Sequence, residues 1–249
     1  MKYVNKSLER AISLINLFDN RSVKMTATEI AEELGSSPGS LYPIIHTLIR
    51  HGYLHKDGNK KYSLGLSFLE KGHLILETKE LRLVVRPHLE KLAEEFNSNA
   101  HLAVLRDDEV FYLDRATGSS HVSIQNIVGS RSPAYGTALG KVLLASLTQE
   151  ELEDYFAENE LFPLTDNTIT DRDILVDHLE EVRRDGFALD EEEYLDGASC
   201  VATPIQDFND DLLAAISVAT HDLTGFDNLK DRLVSSLKKK SLTITEELG

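Results

Sequence analysis

The chain has 249 residues, 41% of them hydrophobic, with 26 Lys and Arg against 42 Asp and Glu and a formal charge of −16. That length favours two domains over one and is ample for true cores. Cys200 is the single cysteine, which excludes an intrachain disulfide and a cysteine-based zinc site. No signal-type segment and no apolar run near the roughly 20 residues of a membrane span occur, so the sequence predicts a soluble, cytoplasmic protein.

Divided by region, the acidity is one-sided. Residues 1–82 hold 12 Lys and Arg against 9 Asp and Glu, a formal +3, and residues 83–249 hold 14 against 33, a formal −19. The overall charge argues against nucleic acid, but the first third of the chain does not, and binding there would depend strongly on salt. So acidic a remainder also fits a source adapted to high salt.

In chain order, Ser7 to Phe18 reads as a helix capped by Ser7, with Leu8, Ala11, Ile12, Leu14, Ile15 and Phe18 apolar. Thr28 is the expected cap of a short helix with Ile30, Ala31 and Leu34 on one face, ended at Gly35. A third helix turns Leu41, Ile44, Ile45, Leu48 and Ile49 inward and Tyr42, Pro43, His46, Thr47 and Arg50 outward. Proline is tolerated in a first helical turn, which places this cap at Ser40 rather than Ser37. Tyr53 to His55 and Tyr62 to Leu64 flank Lys56-Asp57-Gly58-Asn59-Lys60-Lys61, a hairpin on an Asp-Gly turn with three lysines. These pieces in this order make a winged helix-turn-helix, which lays a helix in a DNA groove. A helical packing domain without a ligand would not call for the lysine-rich hairpin.

Ser67 to Val85 reads as a linker helix, interrupted at Pro87 and resumed from His88 to Phe96, with the domain boundary near Arg82 to Arg86. Strands follow at His101–Leu105 and Val110–Arg115, a hairpin about Arg106-Asp107-Asp108, and a third at Val122–Ile127. Helices are expected at Thr137–Leu147, Gln149–Phe156 and Asp171–Arg184, the last closed by Gly186. Strands recur at Phe187–Leu189, Ser199–Ile205 and Leu213–Thr220, before a terminal helix at Asn228–Leu248. Hairpins interleaved with helices give an α+β domain on an antiparallel sheet.

The run GFALDEEEYLDGASCVATPI, residues 186–205, resembles the hallmark of the IclR family of transcriptional regulators. It supplies Gly186, Phe187, Asp190, Glu192, Glu193, Gly197, Cys200, Val201, Ala202, Pro204 and Ile205 at the family's positions. SRSPAYGTALGKVLLA, residues 130–145, matches a second family block, and the resemblance runs from about Ser7 to Leu248. It implies a winged-helix domain over residues 1–66, a linker helix over 67–86 and a GAF-like effector-binding domain over 87–249. It also implies homodimers, often paired into tetramers, on palindromic double-stranded DNA, with the linker helix meeting its mate through Phe68, Leu69, Ile75 and Leu76. The run SPGSLYPIIHTLIRHGYL departs from the family and resembles PadR-type regulators, with Pro38, Pro43 and His46 where most relatives carry Lys or Arg. Base readout then leans on Ser40, Tyr42, His46 and Thr47, with Pro43 on the same face, and phosphate contacts on Arg50, Lys56, Lys60 and Lys61.

For the effector, the resemblance implies a pocket lined by Thr137, Ala138, Leu139, Asp190, Cys200 and Ser217, taking a small organic acid or an aromatic metabolite and no cofactor. Ala138 to Gly140 begin a helix, whose free N–H groups favour a carboxylate or phosphate. Asp190 is suited to accept from a ligand hydroxyl or ammonium, and Ala219 gives the wall an apolar patch. Each residue also has a structural alternative: Asp190 as a turn acid, Cys200 as a small buried hydrophobe, Ser217 as a sheet hydroxyl. His101, His121 and His221 lack metal-ligand spacing. An enzyme with Cys200 as nucleophile is the competing class, but an apolar strand raises a thiol's pKa, and no GxSxG, P-loop, GxGxxG or HExxH pattern occurs. An adaptor whose winged helix binds protein is a third class, opposed by the lysine wing.

Overall fold

Helix α1 (Lys6–Asn16) starts at Asn5 rather than at the expected Ser7, because the Asn5 side chain accepts from both the Ser7 and Leu8 N–H groups. Helix α2 (Ala27–Glu33) likewise starts at Thr26, not Thr28. Thr26 Oγ1 accepts from Glu29 N while Glu29 Oε2 accepts from Thr26 N at 2.6 Å, and Thr28 has no glutamate three residues on to close such a box. Helix α3 (Pro38–Arg50) is capped at Ser37, which corrects the placement at Ser40. Pro38 takes the first helical position, where its fixed φ suits the helix and no N–H is missed. Pro43 therefore lies inside the helix and leaves the Gly39 carbonyl without its partner, but Gly39 and Pro43 are both exposed and water can meet it.

Strands β1 (Met25–Thr26), β2 (Leu54–Lys56) and β3 (Lys61–Leu64) form a small antiparallel sheet in the order β1-β3-β2. Its turn is held by Asp57, whose Oδ1 accepts from Asn59 N at 2.9 Å and Lys61 N at 3.0 Å. Lys60, with φ of 61°, takes the left-handed position, so the turn is not the Asp-Gly type expected from the sequence. Leu14, Ile30, Leu41, Ile45, Leu54 and Tyr62 close the core beneath it. Helix α4 (Ser67–Thr78) follows, with the half-buried Phe68 set edge-on against Tyr53 at 5.2 Å. Leu69 is 71% exposed.

The structure, a computed structural model, describes residues 4–19, 22–78, 80–118, 127–221 and 226–248. It divides into two compact units, Met1–Thr78 and Lys79–Gly249. In the second, helix α5 (Glu80–Phe96) runs unbroken through Pro87, where an interruption was expected. Pro87 and Leu83 are exposed, so the carbonyl that loses its helical partner faces water. Arg82 and Arg86 of α5 reach the buried Asp114 carboxylate at 3.1 and 2.9 Å.

The second unit is built on an antiparallel sheet, six-stranded among the described residues, in the order β6-β5-β4-β9-β8-β7. Its strands are β4 (Asn99–Arg106), β5 (Glu109–Thr117), β6 (Arg131–Pro133), β7 (Ala188–Glu191), β8 (Ser199–Gln206) and β9 (Leu212–Thr220). The expected strand at Val122–Ile127 lies outside the described residues, save Ile127, and β6 was not foreseen. Between strands come α6 (Ala138–Ala145), α7 (Gln149–Glu158) and α8 (Arg172–Asp185), with α9 (Phe226–Leu248) at the end. Alternation divides the sheet. Leu102, Val201, Ile205, Ile216 and Val218 face α5 and α9, while Ala103, Tyr112, Ala188, Ala202 and Ala215 face α6 and α8. The second face is lined with alanines, and the space they leave is where a site can form. Among the described residues no helix is long and apolar enough to cross a membrane.

Candidate functional site

In the first unit, the exposed face of α3 carries Ser40, Tyr42, Pro43, His46, Thr47 and Arg50, as the helical period predicts. Tyr42 is 44% exposed, with its ring centroid 6.5 Å from that of His46. Two hydroxyls on this face already donate to backbone: Thr47 Oγ1 to the Pro43 carbonyl and Ser40 Oγ to the Ser37 carbonyl, both at 2.8 Å. They retain lone pairs, so toward a base edge they are acceptors. Lys56, Lys60 and Lys61 are exposed on the wing, where Lys56 also lies over the Tyr62 ring. Lys24, which the sequence reading left aside, is bound to Asp57 at 3.1 Å and braces the turn.

In the second unit, one pocket brings together Thr137, Ala138, Leu139, Asp190, Cys200 and Ser217 from four separate segments. Strand register explains three of them. Asp190 pairs with Cys200, Cys200 with Ala219, and Ser217 with His101, so the pocket floor is two neighbouring rows of the sheet. The opposite wall is the start of α6, where Thr137 Oγ1 accepts from Gly140 N at 3.0 Å. The first two N–H groups of the helix, on Ala138 and Leu139, have no intrahelical acceptor and lie at the pocket. Gly140 sets that position, since a Cβ there would lie 2.0 Å from the Ala134 carbonyl oxygen. The pocket is narrow, with about 30 Å³ of free volume.

Asp190 is 6% exposed, and its Oδ1 accepts from Glu193 N at 2.8 Å and Tyr194 N at 3.3 Å. It is thus both a turn acid and a pocket wall. Burial raises it from 3.8 to about 7, against the opposing pull of Lys141 and the Glu193 N–H. A raised carboxyl favours folding most fully below its unfolded value, and that contribution fades as the pH climbs through about 7. Cys200 is half-buried, and burial of its thiol first, then Asp190, push it up to about 12, which leaves it inert as a nucleophile.

The sequence reading missed the residues that hold this wall. Lys141 is 0% exposed and meets Glu193 Oε1 at 2.5 Å. Thr165 and Thr168 donate to the Glu192 and Glu193 carbonyls at 2.6 and 2.7 Å, clamping the turn that carries Asp190 and Tyr194. His101, Tyr112, Tyr194, Leu195, Ala198, Ser199 and Ala219 complete the lining. Helix α6 is buried on every side, and a lysine inside so apolar a segment was the available signal. Among the described residues, no group of three or more His, Cys, Asp or Glu is placed to hold a metal ion.

A winged helix-turn-helix in one unit and, in the other, a largely apolar pocket with a few convergent polar groups define a DNA-binding regulator with an effector domain. The chain belongs to the IclR family: residues 7–58 match the IclR helix-turn-helix domain, and residues 73–246 match the family model described as bacterial transcriptional regulator IclR C-terminal. It is 29% identical over 245 residues to the HTH-type transcriptional regulator XynR of Escherichia coli, covering 98% of this chain and 97% of that protein. The IclR transcriptional regulator of Alicyclobacillus acidocaldarius superposes with a TM-score of 0.86 at 28% identity, over 99% of this chain and 100% of that one. An IclR homologue from Microbacterium hydrocarbonoxydans, solved in complex with 4-hydroxybenzoate, shares the fold with a TM-score of 0.83 at 24% identity, over 97% and 98% of the two chains.

Proposed function

We propose that this regulator binds a palindromic operator as a homodimer or dimer of dimers, and that a small organic acid or aromatic metabolite in the pocket of the second unit changes its operator affinity. The observation that carries this reading is the convergence of Thr137, Ala138, Leu139, Asp190, Cys200 and Ser217 on one pocket at a helix start. The ligand carboxylate sits at the Ala138 and Leu139 N–H groups. Cys200 packs as a small wall residue, and the protein catalyses nothing. A PadR-like recognition helix reads bases through Tyr42, His46, Thr47 and Ser40 beside Pro43, while Arg50, Lys56, Lys60 and Lys61 hold phosphates. The acidic second unit reflects adaptation to salt.

On the DNA side, Lys60→Ala with Lys61→Ala should weaken binding to all sequences alike and reduce the salt slope by up to about two phosphate contacts. Fluorescence-anisotropy titrations at several salt concentrations measure it, and an unchanged slope would remove the wing from the interface. Tyr42→Ala, in the same assay, should cost about 1–3 kcal/mol on a selected operator and almost nothing on random DNA. Equal losses on both would make Tyr42 a scaffold residue.

On the ligand side, an ionised Asp190 opposes an incoming carboxylate. Its neighbours are Lys141 on α6, Glu193 and Tyr194 on its own turn, Cys200 on β8 and Tyr112 on β5. Affinity for 4-hydroxybenzoate should therefore fall as the pH rises above about 7, and Asp190→Asn, which can still accept from the turn, should flatten that dependence. Calorimetry from pH 6 to about 8.5 tests it. Linkage adds that a ligand that weakens operator binding must itself bind the DNA-bound protein more weakly, by the same factor. Equal ligand affinity in free and DNA-bound protein would end the effector reading for that compound.

A further inference from the structure

Two polar side chains on the pocket floor make no hydrogen bond of ordinary geometry among the described residues. His101 is 1% exposed and Ser217 is 0% exposed; His101 Nε2 is buried without a partner, and Ser217 Oγ has only the neighbouring Cys200 thiol, a weak one. They are register neighbours across β4 and β9, and both line the pocket. Unpaired buried polar atoms of this kind are costly, so they point to a group that arrives with a ligand.

We propose that His101, together with Ser217, reads a hydroxyl on the effector, so that the pocket selects a hydroxylated carboxylate over its deoxy counterpart. This rests on the pocket being the effector site. The carboxylate is drawn to the α6 N-terminus, and the hydroxyl lands on the sheet floor beyond it. Burial, aided by Arg115, holds the imidazole down to about 3, so His101 is neutral and offers one donor and one acceptor. A neutral ring does not compete with the helix start for the carboxylate, which fixes the ligand's orientation. The ring is set edge-on against Tyr112 at 5.6 Å, which holds its plane. A hydroxyl satisfies this pair by donating to one group and accepting from the other. An analogue lacking it leaves the His101 nitrogen unpaired and Ser217 with only the thiol, and sites of this kind discriminate strongly.

The test is calorimetry on the full chain with two matched pairs, glycolate against acetate and 4-hydroxybenzoate against benzoate, which separates an aliphatic from an aromatic effector class. The hydroxylated member of at least one pair should bind about 10- to 100-fold more tightly. His101→Phe and, as a near-isosteric second variant, Ser217→Ala should reduce that ratio to near unity, with the hydroxylated acid losing more affinity than its deoxy counterpart. Equal binding within both pairs, a ratio that survives both variants, or no binding by any of the four acids overturns the assignment. If the ratio is absent but Asp190→Asn still flattens the pH dependence of acid binding, the pocket stands and the role given to His101 falls. If neither Asp190→Asn nor His101→Phe changes acid binding, the acids bind elsewhere and both readings fall.

Discussion

Lys141→Ala is expected to destabilise the second unit by about 3–5 kcal/mol, because it strands the Glu193 carboxylate in a protein interior. Lys141 is 0% exposed, and the Glu193 side chain is 10% exposed. One Glu193 oxygen meets the ammonium, and the other has no hydrogen bond among the described residues. Two charges so placed were costly to bury together, and removing one forfeits the attraction without recovering the desolvation. For a unit of this size the loss corresponds to a fall in Tm on the order of 10 °C. The double variant Lys141→Met with Glu193→Leu should recover much of it, since an apolar pair of similar volume carries no desolvation penalty. Scanning calorimetry of the full chain, with DNA binding as the check on the first unit, measures both. A Tm unchanged in Lys141→Ala would show that the pair contributes no net stability. A double variant no better than the single would show that the cost lies in packing.

Gly140→Ala is expected to cost about 3 kcal/mol, at the upper end for overpacking, although alanine is the better helix former by about 1 kcal/mol. The added Cβ would lie 2.0 Å from the Ala134 carbonyl oxygen and 2.4 Å from the Ala134 Cα, and backbone cannot turn aside as a flexible side chain can. The helix start must therefore withdraw, taking the Ala138 and Leu139 N–H groups away from the pocket, so acid affinity should fall along with stability. Gly72→Ala in α4 is the control. A Cβ there meets nothing within 4 Å, so it should be neutral or stabilising by up to about 1 kcal/mol. Urea unfolding of both variants decides the matter, and equal stabilities would mean that α6 and the Ala134 segment separate easily.

Much of the architecture was open to reading because it rests on period. The α3 face and the strands β4, β5, β8 and β9 follow from alternation or helical spacing, which burial imposes on sequence directly. Helix ends were less readable, because several residues in a row can cap. Thr26 and Thr28 are both plausible, and what decides is Glu29 standing three residues after Thr26. Strand β6, three residues ending in proline, has no period to detect. The pocket residues named in advance came from family likeness, while Lys141 and His101 act through partners distant in sequence, and no local pattern announces a distant partner.

The alanines on the sheet face toward α6 and α8 bear on how such a regulator changes over generations. Ala103, Ala188, Ala202 and Ala215 lie under the helices, and Ala138, Ala198 and Ala219 touch the pocket itself. A surface of methyl groups is reshaped by single-base codon changes, to valine, threonine, serine or glycine, and a strand accepts the branched ones readily. Each step alters the outline or polarity of the cavity while strand pairing and the DNA-reading face of α3 stay as they were. A lineage with this wall can come to answer a new metabolite while still addressing the same promoters.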